Sequence, residues 1–336
     1  MVRPLIVDCT GPRLTAEERS LFRNLDPLGF ILFARHVQDP DQVAALVSEL
    51  RESVGRMDAP VLIDQEGGRV CRLRPPHWRA APPAAVFAAL AVRDGQAARR
   101  ATWLNSRLLA AELGDLGVSV DCLPVLDLRL EGAHDIIGDR SYGADPALVA
   151  DLGRAAAEGL IAGGVQPIIK HIPGHGRAMQ DSHLALPVVD ADHDTLTATD
   201  FAPFRAMNDM PLAMTAHITY TALDPDRPAT LSPSVIGDII RGEIGFGGVL
   251  ISDDITMKAL SGSLAGLARD SLAAGCDVAL LCNADFDDRR TVLDAVDPVE
   301  DPAALSAAFT APGATPFDRE DGLAELQSLI AGASLL

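Results

Sequence analysis

Two patterns of apolar residues alternate along the chain. Short runs rich in Val, Ile and Leu read as buried strands: PLIVDC (4–9), GFILFA (29–34), PVLIDQ (60–65), VSVDCLPVL (118–126), VQPIIK (165–170), LAMTAH (212–217), GVLISD (248–253) and DVALLC (277–282). Between most of them lie Ala/Leu-rich segments of helical period, at 15–25, 39–54, 96–116, 145–164, 200–209, 232–245 and 262–275. Several carry Asp, Ser or Thr before the first turn and Gly after the last, the residues that satisfy a helix's free N–H groups and close its end. Strand–helix alternation predicts a parallel sheet covered by helices, and eight strands predict an α/β fold closed into a single-domain (β/α)8 barrel of the TIM type over residues 1–290. After Asn283 the pattern changes to a Pro/Ala/Asp-rich stretch followed by LAELQSLIAGASLL. Residues 291–336 therefore read as a C-terminal extension, packed on the barrel or partly flexible. There is no repeat beyond the βα alternation, and no G-x-G-x-x-G follows the first strand.

In such a barrel the chemistry sits where the strands' C-terminal ends meet their loops. Ionisable residues occur at seven of those ends: Asp8, Arg35-His36, Asp64, Asp127, Lys170-His171, His217 and Asp253-Asp254. One such residue is as readily a cap or a solvated charge; seven together predict a site at that rim. Within IDQEGGRVCR (63–72), Asp64 ends a strand, two glycines allow close backbone approach, and Arg69 and Arg72 follow. Arg140 in IIGDRSYG is suited to hold a substrate oxygen with two parallel N–H bonds, or equally to make a structural ion pair. Asp253 and Asp254 are neighbours on an extended chain, so one faces the cavity and the other supports it.

Composition narrows the partners. With 28 Lys/Arg against 47 Asp/Glu the formal charge is −19, which disfavours nucleic acid and anionic membranes. Aromatic residues make up 4%, so the core is aliphatic. The five cysteines are scattered without a Cys-x-x-Cys pair, as in a reducing compartment. The opening MVRPLIVDCTGPRLTAEE has too short an apolar run for a signal peptide, and no run approaches a membrane span. The expectation is a cytoplasmic, soluble monomer with no cofactor and no metal.

The densest chemistry lies in KHIPGHGRAMQDSH (170–183), which holds three of the chain's 8 histidines. Asp181 and His183 are two apart, so in an extended loop they project the same way. A carboxylate beside an imidazole orients it, fixes its tautomer and favours its protonated form, as a general acid requires. Gly174 and Gly176 let the loop turn back over the barrel mouth. The same residues leave three other readings open. Lys170 could be a Schiff-base amine of a barrel lyase. His171, His175 and His183 could ligate a metal. The rim could also bind an amino sugar without chemistry.

KHIPGHGRAMQDSH resembles the K-H-[FI]-P-G-H-G-x4-D-[ST]-H signature of glycoside hydrolase family 3, in its bacterial β-N-acetylglucosaminidase (β-hexosaminidase) branch. IDQEGGRV, IGDRSYG and ISDDITM resemble the family's other landmarks in the same order, from about Asp8 to Asn283. The resemblance implies a retaining exo-β-N-acetylglucosaminidase with Asp253 as nucleophile, His183 as acid/base and Asp181 as its partner. It implies that Asp64, Arg72, Arg140, Lys170 and His171 hold the sugar ring, with Met257 nearby. Cys71 stands where relatives often carry a polar residue. The implied substrate is N-acetylglucosamine linked to 1,6-anhydro-N-acetylmuramic acid, a fragment of peptidoglycan recycling. Cations at the rim would hold the Asp253 carboxyl ionised and form a positive patch suited to an acidic aglycone.

Overall fold

The computed structural model describes residues 1–130, 132, 135–178 and 186–331. Its strands are β1 (Arg3–Val7), β2 (Pro27–Leu32), β3 (Val61–Ile63), β4 (Val120–Asp121), β5 (Gln166–Pro167), β6 (Ile169–Ile172), β7 (Val188–Val189), β8 (Leu212–Thr215), β9 (Thr219–Tyr220), β10 (Val249–Asp254) and β11 (Val278–Leu281). Nine of them form one parallel sheet in the order β5-β4-β3-β2-β1-β11-β10-β8-β6. Its two ends, β5 and β6, are pieces of one strand interrupted only at Ile168. The sheet therefore closes on itself with eight strand positions, the barrel that the apolar pattern predicts. β7 and β9 pair separately.

Each run of alternating side chains divides between two cores. Ile6, Ile31, Leu62, Val120, Ile168 and Ile251 point inward and fill the cylinder. Leu5, Val7, Phe30, Leu32, Val61 and Ile63 point outward and pack under the helices. β4 is shorter than the run 118–126 because Pro124 has no N–H to continue the ladder. The chain instead crosses over, with Leu126 N–H donating to Lys170 O at 2.7 Å and Lys170 N–H to Pro124 O at 3.1 Å.

The predicted helices form within a few residues of their expected limits, except that 232–245 becomes a wide turn over Val235–Glu243 with i→i+5 bonding. Helices Ala84–Ala91 and Phe286–Ala295 are additional. No helix among the described residues is long and apolar enough to cross a membrane.

The segment after residue 291 touches the barrel at Ala308–Phe309, Thr315 and Phe317. Phe309, 2% exposed, joins the interior cluster with Val2 and Leu28, which lie at the N-terminal ends of their strands. Gln166 Nε2 donates to Ala308 O at 2.6 Å, and Thr315 N–H to Ala162 O at 2.9 Å. The Arg107 guanidinium lies 4.5 Å above the Phe317 ring. Phe309 is thus the floor of the cylinder, opposite the rim that carries the polar strand ends.

Candidate active site

At that rim a cavity of about 340 Å³ is lined by polar side chains from the ends of β3, β6 and β10 and from the loop after β4. The turn after β3 is fixed from behind by Gln65, which is fully buried. Its Oε1 accepts from Arg72 N–H (2.9 Å) and Leu73 N–H (3.0 Å), and its Nε2 donates to Leu73 O at 3.0 Å. Its own N–H donates to Asp121 Oδ1 at 3.0 Å. Gly67 sits at φ +100°, and a Cβ there would lie 2.2 Å from Pro82 O, so only glycine fits this turn. The turn delivers Asp64, Glu66, Arg69 and Arg72 to the cavity wall.

Lys170 is the centre of the charge network. Its Nζ contacts Asp64 Oδ1 at 2.8 Å and Glu66 Oε1 at 2.7 Å. Arg72 Nη2 bonds the other oxygen of Asp64 at 3.0 Å. Arg140 grips Glu66 with two N–H groups, Nε and Nη2, each at 2.8 Å. Burial pushes these carboxyls up, but the adjacent cations win: Asp64 is held well below the carboxylate range, mainly by Lys170 and Arg72, and Glu66 falls to about 2, mainly through Arg140 and Lys170. Burial lowers Lys170, yet its two carboxylates raise it further. An ammonium held this firmly is a poor Schiff-base nucleophile.

Lys170 and His171 both line the cavity although they are consecutive, because the pairing of β6 with β8 shifts register between Lys170 and Ile172. The buried Asp127 carboxylate organises the chain from His171 to His175. It accepts from His171 Nδ1 at 2.6 Å and from the His175 N–H at 2.7 Å, and is held down to about 2 despite burial, with His171 the largest opposing charge. His171 thereby turns its other nitrogen away from Asp127. His175 also lines the cavity, and burial lowers it to about 4, so its ring is neutral at ordinary pH.

Asp253 lies at the end of β10, beside a register shift between Ile251 and Asp254. Its Oδ1 accepts from Asp254 N–H at 2.7 Å, and among the described residues its Oδ2 carries no protein hydrogen bond. Burial raises this carboxyl, but His217, His171, the Asp254 N–H and Lys170 together bring it below the ordinary aspartate value. Asp254 does the reverse. Its oxygens accept from Thr256 N–H (2.9 Å), Thr256 Oγ1 (2.7 Å) and Cys282 N–H (3.0 Å), away from the cavity, and burial raises it to about 6. The division of labour expected of this pair is therefore present.

The structure brings Asp253, Asp64, Arg72, Arg140, Lys170 and His171 to one cavity. Met257 is not there. It falls in the turn after β10, 9% exposed, with its N–H on Asp254 O, and the methionine that lines the cavity is Met214. The expected positive patch is also modified: among the described residues, Lys170, Arg72 and Arg140 at the cavity wall are paired with Asp64 and Glu66, and Arg69 with Asp139 at 2.8 Å. Arg140 spends its fork on Glu66 rather than holding it open. Cys71 is turned inward, with burial raising its thiol. Asp181 and His183 lie outside the described residues. Sequence reasoning missed Glu66, although it stands two residues after Asp64. It also undervalued Arg69, whose Nη2 donates to the carbonyls of Asp135 (2.7 Å) and Ile136 (2.8 Å) and so fixes the opposite wall. Among the described residues, no three His, Cys, Asp or Glu side chains converge as metal ligands would.

Comparison with known proteins bears directly on this arrangement. A family model described as the N terminal domain of glycosyl hydrolase family 3 matches residues 5–308. The β-hexosaminidase of Aromatoleum aromaticum is 40% identical over 289 residues, covering 83% of this chain and 79% of that protein. That of Alkalilimnicola ehrlichii is 40% identical over 287 residues, with 84% and 81% covered. Among solved structures, NagZ from Neisseria gonorrhoeae in complex with N-trifluoroacetyl-D-glucosamine superposes with a TM-score of 0.85 at 34% identity, covering 98% of this chain and 96% of that one. A family 3 β-N-acetylglucosaminidase from Paenibacillus gives 0.80 at 31% identity, covering 99% of this chain and 61% of that one.

Proposed function

This chain belongs to glycosyl hydrolase family 3, and from that premise we propose that it removes terminal β-linked N-acetylglucosamine through a covalent intermediate on Asp253. It is a glycoside hydrolase with β-N-acetylhexosaminidase activity. The observation that carries the proposed mechanism is the Asp253 carboxylate, whose Oδ2 takes no hydrogen bond among the described residues, facing a ring of paired charges across a cavity of sugar size.

Asp253 Oδ2 attacks the anomeric carbon as the bond to the aglycone oxygen breaks. The departing oxygen takes a proton from His183, whose imidazole Asp181 orients. Water then attacks the same carbon, gives its proton back to His183 and releases Asp253 as the free carboxylate. Asp64, Arg72, Lys170 and His171 bind the sugar hydroxyls, with Arg140 acting through Glu66. Because Asp64 and Glu66 are already ionised and bonded, they offer fixed acceptors that need no reorganisation when the ring flattens. The proposed substrate is N-acetylglucosamine on 1,6-anhydro-N-acetylmuramic acid, from cell-wall turnover. Resemblance in sequence supports this choice.

A fluorinated amino-sugar substrate tests the mechanism. Intact-mass spectrometry followed by peptide mapping is expected to find a glycosyl adduct on Asp253. Turnover without any adduct, together with strong inhibition by a thiazoline, would instead assign the attack to the substrate's own acetamido oxygen.

A further inference from the structure

Behind Asp253 runs a buried polar chain that the proposed mechanism leaves unused. Thr215, His217 and Thr230 are each 0% exposed. Asp253 N–H donates to Thr215 Oγ1 at 3.3 Å. Thr230 Oγ1 lies 2.7 Å from Thr215 Oγ1, 2.8 Å from His217 Nδ1 and 3.1 Å from Ala216 O. On the far side of the ring, His217 Nε2 is 2.9 Å from Asp254 O.

The protons along this chain can be counted. A carbonyl only accepts, so Nε2 carries a proton. Thr215 Oγ1 receives the Asp253 N–H, and among the described residues its own proton has one acceptor, Thr230 Oγ1. Thr230 then has one proton and two claimants, Ala216 O and His217 Nδ1. Directed to Nδ1, the proton strips the buried Ala216 carbonyl of its hydroxyl donor and leaves a buried polar group stranded. Directed to Ala216 O, it leaves Nδ1 to donate, and each hydrogen bond named above then has one donor and one acceptor. The ring then has two N–H groups and a positive charge. A cation here would be costly to bury by itself, and the carboxylate that ends this chain is Asp253, joined to it through its N–H on Thr215. Asp253 is indeed held below its ordinary value, with His217 the leading charge opposing burial. The other groups that act on it are His171 and Lys170 from β6 and Asp254, whose carboxyl points to Thr256 and Cys282.

We propose that His217 is an imidazolium, the fixed counter-ion and positioning residue of Asp253. Its Nε2–H holds the Asp254 carbonyl, and so the end of β10, while its charge keeps the neighbouring carboxylate ionised. This deepens the reading of Asp253 as nucleophile and rests on it for its catalytic meaning.

The test is a ring-nitrogen NMR titration of the whole chain labelled with 15N-histidine. The His217 signal is the one missing from His217→Gln; should that variant fail to fold, Thr230→Val identifies the signal by displacing it. Two ring protons are expected to persist well above the ordinary histidine value of about 6.5. Asp253→Asn, which keeps shape and removes charge, is expected to lower the titration midpoint by about one unit or more. A singly protonated ring at neutral pH, or a midpoint that Asp253→Asn leaves unmoved, overturns the inference. In kinetics, His217→Gln is expected to move the acid limb of kcat/KM upward by about one unit; a fall in kcat with that limb in place would mark a merely structural role and overturn it too. A trapped adduct on Asp253 with a neutral His217 sinks this inference alone. An imidazolium with no adduct supports it and sinks the nucleophile alone.

Discussion

Two charge clusters sit at the same rim of the barrel and are made from the same ingredients. At the end of β1, Asp8 pairs with Arg35 and with Arg289 (2.7 Å), and Arg289 reaches Glu18 at 3.4 Å. Across the mouth, Asp64 and Glu66 pair with Lys170, Arg72 and Arg140. The difference is the cover. Helix Phe286–Ala295 lays Arg289 over the first cluster, and Asp8, Glu18 and Arg289 are each no more than 1% exposed. The second cluster borders open volume. A charged strand end becomes a site only where no later element seals it. The sealed cluster joins β1, the first helix and the last barrel helix, so its role is cohesion.

This contrast can be broken most severely at Asp253. Asp253→Asn is expected to cut kcat/KM by more than about 10³-fold with Tm within a few degrees of the parent, measured on a nitrophenyl N-acetylglucosaminide. Next, Arg289→Met removes the buried cation shared by Asp8, which keeps Arg35, and Glu18, which keeps the Thr10 and Thr15 N–H groups, and is expected to cost about 1–3 kcal/mol in denaturant unfolding, while the folded fraction keeps its kcat/KM. An Arg289 variant that lost activity without losing stability would erase the distinction between the clusters. A smaller effect is expected at Arg72, whose fork bonds Asp64 and whose carbon lies 5.3 Å from the Phe33 ring centroid. Arg72→Lys keeps the charge and loses the planar contact, which is expected to raise KM by about tenfold with little change in kcat.

The smallest effect is on acid stability. The Glu66 carboxyl falls from its ordinary 4.5 to about 2, and Asp127 from 3.8 to about 2. A lowered carboxyl contributes stability above its unfolded value, and that contribution is lost as pH falls through the folded value. Melting temperature is therefore expected to hold above about pH 5 and to decline between about 4.5 and 2. Lys170→Met removes the shared cation, so its decline is expected to begin at higher pH in the same melts. Coincident curves would show that the open cluster adds nothing to cohesion.

The strands were legible because each is a short β-branched run, apolar on both faces, which a barrel between core and helices demands. Asp253, Asp64 and Lys170 were legible as charges closing such runs. Helix Phe286–Ala295 was not, because Arg289, which it buries together with Val292 and Leu293, is charged and breaks the apolar period. Glu66 was hidden for a related reason. In a turn it reads as a solvated carboxylate, and only the fold brings Lys170 to 2.7 Å and Arg140 to 2.8 Å. Asp8 and His36 look identical to site residues in sequence, yet His36 lies with Nδ1 2.8 Å from Phe33 N–H and Nε2 2.7 Å from Cys9 O, fully buried. Met257 was not placed by its motif because the chain turns after β10, where the Met257 N–H bonds Asp254 O and the residue is buried. Distance between loops is not written in any local window.

The pairing of β1 with β11 has a consequence for how the molecule is made. Emerging from the ribosome before the other barrel strands, residues 3–7 find β2 on one flank within two dozen residues, but their other flank stays unzipped until residues 278–281 have been translated. The hoop is fastened by its earliest and latest staves, and its bung, Phe309, comes later still. A nascent chain stalled before β11 exposes a bare strand edge of the kind that invites a neighbour's. Interruption of synthesis before residue 278 should thus yield aggregates rather than a shorter enzyme.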